Sequence, residues 1–154
     1  MMEIEQTYPT GSEHEKLFES LCALAKAFAT TNRIFPVIFC TIKHNVVILE
    51  PLQCPDLVEF FLTAKEELEK LEPEAVIIFF EGSFSETNLV THETRDIDVL
   101  TGLFFSKNKE IRKVWLLEKR EDKSRTAVEI KVDDMHLPDW LDFRNVCKSP
   151  DYIV

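Results

Sequence analysis

The order of helical and strand patterns along the chain most constrains its fold. Two segments, near residues 12–29 and 56–71, carry apolar side chains at the three- and four-residue spacing of amphipathic helices. Short runs of β-branched and aromatic residues follow each segment, with turn-forming residues between the runs. Such a chain has two apolar helix faces and several strands to bury, so we expect helices packed on a sheet.

Each predicted helix begins at a capping box, in which a side-chain acceptor and a glutamate three residues later satisfy free backbone N–H groups. Ser12 and Glu15 form the first box, and Asp56 and Glu59 form the second. Pro73 is expected to end the second helix. The predicted core contains apolar residues from both helices and from one strand: Leu21, Phe28, Phe60, Leu68, Ile77 and Phe79.

The remaining apolar runs predict six strands. The first two, 34–42 and 46–49, suit a hairpin with its turn at His44 and Asn45. Residues 81–95 are polar and are expected to form a long loop. Short turns between the later runs favour an antiparallel meander. The later runs are 75–80, 97–105, 111–117 and 126–132.

These elements predict an α+β fold in the order αββαββββ, with a short C-terminal helical turn. We expect a two-layer sandwich, in which two helices cover one face of a mostly antiparallel sheet of about six strands. The apolar runs 34–42 and 75–80 predict that the second face is partly covered, by the C-terminal tail or by a second subunit. Two aromatic residues of the tail, Trp140 and Phe143, are expected to dock in this way.

Net charge narrows the classes of partner. The chain has 18 basic and 28 acidic residues and a formal net charge of −10, so direct nucleic-acid binding and attraction to anionic membranes are not expected. The charge is uneven. Segment 56–74 carries seven acids and two lysines, 81–98 carries five acids and one arginine, and 107–125 carries eight bases and four acids. A twofold dimer can place the basic segment against the acidic helix of its mate.

The composition suits one cytoplasmic domain. We expect a single α+β domain over residues 12–154, after a flexible N-terminal arm, 1–11. The acidic N-terminus lacks the apolar segment of a signal peptide. The four cysteines show no CxxC spacing, so a disulfide framework is not expected, and Cys22 and Cys40 suit a core.

One pattern on two neighbouring predicted strands suggests catalysis. Glu129-Ile130-Lys131 is an acid-x-Lys pair, and Glu118 closes the preceding strand. The layout resembles that of the PD-(D/E)xK nucleases, which implies a metal-dependent hydrolase with catalytic Glu118, Glu129 and Lys131. Leu117-Glu118 stands where that family has Pro-Asp. Charges that alternate with aliphatic residues on a half-solvated strand also explain the pattern.

The acidic segment 81–98 is a second candidate site. Acids at the end of one strand and the beginning of the next can converge on a hard cation. The candidate metal ligands are Glu81, His92, Asp96 and Asp98. Alternatively, these charges keep strand ends soluble. The three glycines form no phosphate-binding motif, so no cofactor is expected.

Two resemblances bear on topology. The apolar run 75–81, which ends in Glu81, and the run Arg95-Asp96-Ile97-Asp98-Val99-Leu100 resemble a layout in small uncharacterised bacterial and phage α+β proteins. The order helix, hairpin, helix, meander is similar to that of roadblock and profilin-like modules, which act as dimerising scaffolds. These resemblances imply the topology and leave the activity open.

Three functions remain open at this point. The first is a non-catalytic protein-binding or scaffolding module that acts as a homodimer, so that the partner is another protein or a second copy. The second is the metal-dependent hydrolase described above. The third is an acidic inhibitor that mimics DNA by presenting ordered carboxylates.

Overall fold

The computed structural model describes residues 2–5, 11–31, 37–43, 46–52, 56–122, 124–131 and 137–148. Within these ranges, seven strands form one sheet in the order β1-β3-β2-β4-β5-β6-β7, and every neighbouring pair is antiparallel. The strands are Met2–Glu5 (β1), Val37–Lys43 (β2), Val46–Leu52 (β3), Ala75–Thr87 (β4), Thr94–Ser106 (β5), Lys109–Lys119 (β6) and Arg125–Ile130 (β7). The helices are Gly11–Ala29 (α1) and Leu57–Leu71 (α2), followed by 3₁₀ turns at Asp139–Leu141 and Arg144–Val146. The predicted α+β class is confirmed.

The two helices lie on opposite faces of the sheet, which corrects the expectation that both cover one face. Phe18 of α1 stacks on Phe79 of β4, with ring centroids 5.8 Å apart. Phe61 of α2 contacts the next residue, Phe80, at 5.7 Å. Because consecutive side chains of a strand point to opposite faces, these contacts define an α1 face and an α2 face. The continuous apolar run of β4 therefore needs cover on both sides.

The C-terminal segment, residues 137–148, shares the α2 face with α2. Trp140 stacks on Phe61 with centroids 5.6 Å apart, and Phe143 packs on Phe105 of β5 at 5.9 Å. The Cys147 thiol donates to the Phe105 carbonyl at 3.5 Å. This segment therefore covers β5 beside α2, as the sequence predicted for the tail.

The predicted helix positions are largely confirmed. Asp56 caps α2 by accepting a hydrogen bond from the Glu59 N–H at 3.2 Å. Helix α1 begins at Gly11, one residue before the predicted cap Ser12. The difference is within the usual scatter of helix ends.

Burial confirms most of the predicted core and corrects one residue. Leu68, Ile77 and Phe79 are buried, and Leu21 and Phe60 are half-buried. The prediction for Phe28 was wrong, since 42% of this residue is exposed. Phe28 lies at the side of the buried stripe of α1, not within it. The buried stripe consists of His14, Phe18, Cys22, Ala25 and Ala29.

Several predicted strand limits also change. The predicted N-terminal arm contains β1, which pairs with β3 at the edge of the sheet. Strand β3 extends to Leu52, so Pro51 lies inside it rather than closing it. The expected loop 81–95 belongs mostly to β4 and β5, which are paired from Ala75–Ser106 to Thr87–Thr94. The predicted turn at 44–45 lies outside the described residues.

Gly102 is needed for close packing on the α1 face. A Cβ atom built there lies 2.6 Å from Cε1 of Phe79, so Gly102→Ala should lower the free energy of unfolding by about 1–3 kcal/mol. Gly82→Ala is the matched control, because its Cβ meets nothing within 4 Å, and its effect should stay within about 0.5 kcal/mol. Urea unfolding of both variants measures the difference. Equal stabilities would show that the Phe79 ring is misplaced.

Candidate functional site

Strands β4 and β5 continue beyond their neighbours as a two-stranded ribbon, residues 84–97. Pairing of β4 with β2 ends at Phe79, and pairing of β5 with β6 begins at Asp98. Cross-strand contacts within the ribbon include a Ser85–Asp96 hydrogen bond of 2.8 Å and a Glu86–Arg95 ion pair of 2.9 Å. These polar pairs explain why a segment with little apolar content still forms strands.

The tip of the ribbon is held by Asn88 and presents two aliphatic side chains. The Asn88 side-chain oxygen accepts from the backbone N–H groups of Val90 and Thr91 at 2.8 and 3.1 Å. Leu89 and Val90 are each 87% exposed. His92 has a left-handed backbone with φ of 62° and is exposed at this turn.

At the base of the ribbon, two predicted metal ligands instead bind an arginine. Nη2 of Arg125 donates to Oε1 of Glu81 at 2.8 Å, and its Nη1 lies 3.6 Å from Oδ2 of Asp98. Nη2 also donates to the Ala29 carbonyl at 2.5 Å, at the end of α1. The Arg125 side chain is only 6% exposed. This arginine clamp joins α1 to three strands and places one positive charge between the two carboxylates.

The other two proposed ligands lie elsewhere. Asp96 bonds to Ser85 within the ribbon, and His92 lies at the tip. Among the described residues, no group of three or more His, Cys, Asp or Glu side chains is arranged to hold a metal ion. The described geometry therefore separates the four candidates into a clamp, a ribbon contact and a turn.

The three candidate catalytic residues of the nuclease hypothesis do not lie together on one face of the sheet. Glu118 pairs with Thr126, and Glu129 pairs with Trp115, so the two glutamates have opposite strand parity. Glu129 lies on the α1 face with Trp115, where its carboxylate is 4.0 Å from Nζ of Lys113. Lys131 follows the end of β7 and is exposed.

The described cysteines are buried and free. Burial raises the pKa of the thiols of Cys22, Cys40 and Cys147 to about 12 in each case. Each thiol is therefore protonated at neutral pH, which suits the core role predicted for Cys22 and Cys40.

The strongest surface feature is an apolar patch on the α2 face, which we call the outer patch. Its members are Ile97, Val99, Leu116, Val128 and Ile130. Val99 pairs with Leu116, and Leu116 pairs with Val128, so the patch crosses three neighbouring strands. Val128 is 45% exposed and the other four are half-buried. None of the five belongs to either core cluster.

Helix α2 carries a second exposed apolar surface. Val58, Leu62 and Lys65 recur at helical spacing and form one stripe. Nζ of Lys65 donates to the Asp139 carbonyl at 2.6 Å, so this stripe faces the C-terminal segment. Because that segment covers β5, the stripe faces the β5–β7 side of the sheet. Val58 and Leu62 are 42% and 49% exposed.

Sequence reasoning missed the outer patch, although its signal is present. Residues 97–100 and 114–117 are apolar at nearly every position, which indicates strands with two apolar faces. Two helices and a short tail provide cover for only part of the second face. The apolar runs 97–100 and 114–117 could therefore have indicated that both faces of these two strands need cover.

Comparison with protein-family models, curated proteins and solved structures found no match for this chain. The resemblances to bacterial and phage proteins, to roadblock and profilin-like modules and to nucleases therefore stay predictions. Neither described helix is both long and apolar enough to cross a membrane.

The arginine clamp should contribute strongly to stability. Arg125→Met leaves two partly buried carboxylates without their cation, so the free energy of unfolding should fall by about 2–4 kcal/mol at neutral pH. Arg95→Met is the control, because Arg95 and Glu86 are 75% and 53% exposed. A surface pair of this kind contributes less than about 1 kcal/mol. Chemical unfolding of both variants tests the clamp, and similar losses would contradict it.

Proposed function

We propose that this chain is a non-catalytic protein-binding module that acts as a homodimer through the outer patch. The observation that carries the proposal is the patch itself, five aliphatic residues on three adjacent strands that belong to neither core. Contiguous exposed apolar surface on a folded domain is typical of an interaction site, because burying it in a partner removes it from water.

The shape of the surface also supports a protein partner. The outer patch is a sheet surface that crosses three neighbouring strands. Sites for small molecules are usually enclosed and combine apolar walls with a few convergent polar groups. An open aliphatic surface with a charged periphery is more typical of the centre of a protein interface.

Two of the candidate metal ligands and one of the three candidate catalytic residues have structural partners. Glu81 and Asp98 contact Arg125, and Glu129 contacts Lys113. Carboxylates engaged in this way stabilise contacts between elements of the fold. This arrangement favours the binding module over the metal-dependent hydrolase.

Dimerisation can be tested with one substitution in the outer patch. Val128→Glu should weaken the dimer at least about tenfold, because it places a charge in the buried centre of the contact twice by symmetry. Leu24→Glu is the control on the α1 face, where Leu24 is 67% exposed. Sedimentation equilibrium over a range of concentrations gives the dissociation constants.

Circular dichroism should show that both variants remain folded. A wild-type chain that stays monomeric at several hundred micromolar would refute the homodimer. Loss of the dimer on Leu24→Glu, with Val128→Glu unaffected, would place the interface on the α1 face instead.

A further inference from the structure

Strands β5 and β6 separate at the base of the ribbon and leave a cleft between them. Their pairing stops at Asp98 and Leu117, although both strands continue beyond this pair. In the same register the next cross-strand pair is Asp96 with Lys119, and this pair is absent from the ladder. The cleft has a volume of about 490 Å³. Its lining comes from two short stretches of strand, residues 95–98 of β5 and 116–119 of β6.

The backbone of β5 directs hydrogen-bonding groups into this cleft at alternate residues. In an antiparallel pair, consecutive residues point their N–H and C=O groups to opposite sides of the strand. The Asn88 N–H donates to the Glu93 carbonyl at 2.8 Å, so Glu93 faces β4. Thr94 and Asp96 then face away from β4. Their side chains each share a hydrogen bond with the opposite residue of β4, at 3.1 and 2.8 Å, as expected for pairs without backbone hydrogen bonds.

Lys119 faces the cleft from the other side by the same rule. The Arg120 N–H donates to the Ser124 carbonyl at 2.8 Å, so Arg120 faces β7 and Lys119 faces away from it. Within the residues that the structure describes, the strand order gives Thr94, Asp96 and Lys119 no strand neighbour on the cleft side. The cleft is therefore bounded by two open strand edges.

We propose that an extended segment of a partner protein binds in this cleft as an added strand along β5. The backbones of Thr94 and Asp96 each offer one N–H donor and one C=O acceptor, which is the pattern that an added strand pairs with. The proposal goes beyond the homodimer, because the segment pairs with a strand edge whereas a second copy covers the outer patch. It rests on the proposed function only in that the partner is a protein.

The two faces of the cleft define the side chains that suit such a segment. On the α2 face the cleft is lined by the aliphatic side chains of Ile97 and Leu116. On the α1 face Asp96 and Lys119 are exposed and opposite in charge, so neither an acidic nor a basic segment is favoured there. Because the side chains of a strand alternate between faces, the cleft fits a segment in which aliphatic and uncharged polar residues alternate.

The charged side chains on this edge are engaged across the ribbon rather than over the cleft. Arg95 pairs with Glu86 at 2.9 Å, and Asp96 accepts from Ser85 at 2.8 Å. Strand edges are commonly protected by free charges, by prolines or by a covering element. Residues 94–98 contain no proline. The edge is therefore available to a strand from another chain.

Amide hydrogen exchange, read by NMR on isotope-labelled protein, tests the alternation directly. The probe is a short blocked peptide of alternating threonine and valine. When it is added, the N–H groups of Thr94 and Asp96 should exchange at least about tenfold more slowly. Those of Arg95 and Ile97 face β4 and should change by less than about twofold. The same peptide with N-methyl groups along one edge is the control, and it should bind at least about tenfold more weakly.

A pair of proline variants tests the same edge from the protein side. Thr94→Pro removes an N–H that faces the cleft and places the proline ring there, so peptide binding should weaken about tenfold or more. Thr87→Pro is the matched control, because Thr87 is opposite Thr94 and its N–H points away from β5. Its peptide affinity should stay within about threefold of wild type. Fluorescence anisotropy gives the dissociation constants, and thermal unfolding shows whether each variant is folded.

The outcomes separate this inference from the proposed function. Slower exchange confined to Thr94 and Asp96, with selective loss of binding in Thr94→Pro, supports the added strand. No binding at millimolar peptide, protection that does not alternate, or equal losses in both proline variants would overturn it. Val128→Glu, which weakens the proposed homodimer, should bind the peptide within about threefold of wild type. Failure of the dimer and failure of the added strand are therefore observed independently.

Discussion

Cover for both faces of β4 is the requirement on which the rest of the structure depends. The strand is apolar from Ala75 to Phe80, so the side chains on both of its faces are apolar and have to be buried. One helix covers each surface, and the α1 and α2 faces follow directly. A helix is about 10 Å across and covers about two strands, whereas a seven-stranded sheet is much wider. The C-terminal segment covers β5 at Phe105 on the α2 face, whereas Val128 of the outer patch on β7 is 45% exposed.

Arg125 explains why the acidic base of the ribbon is stable without a metal site. Its guanidinium lies between Glu81 and Asp98 and also bonds to the end of α1. Two carboxylates close together repel each other, and a buried cation between them reduces that repulsion while its own charge is compensated. The same residues thus looked like metal ligands in sequence and serve as an internal ion-pair network in the fold.

Local sequence patterns predicted the helices and most strands well. Contacts between residues far apart in the sequence could not be predicted in this way. The Asp56 capping box and the apolar spacing of α2 are short-range features, so the helix was predicted almost to the residue. The ribbon was predicted to be a loop because its strands are stabilised by polar cross-strand pairs, such as Glu86 with Arg95. The alternation of apolar and polar residues, from which strands were predicted, does not reveal such pairs. The Arg125–Glu81 contact joins residues 44 positions apart, which no local pattern encodes. The prediction that Phe28 is buried was wrong because helical spacing shows which side of a helix is buried but not how many residues on each flank are covered.

The charges along β7 bear on how two copies can associate. Glu129 on the edge strand β7 and Lys131 directly after it are exposed, and charges at an edge disfavour open-ended pairing of sheets. Edge-to-edge growth would also leave the outer patch in water. In the homodimer that we propose, face-to-face packing about a twofold axis buries the outer patch. The alternation that made Glu129-Ile130-Lys131 resemble a catalytic pair is also typical of an edge strand that carries exposed charges.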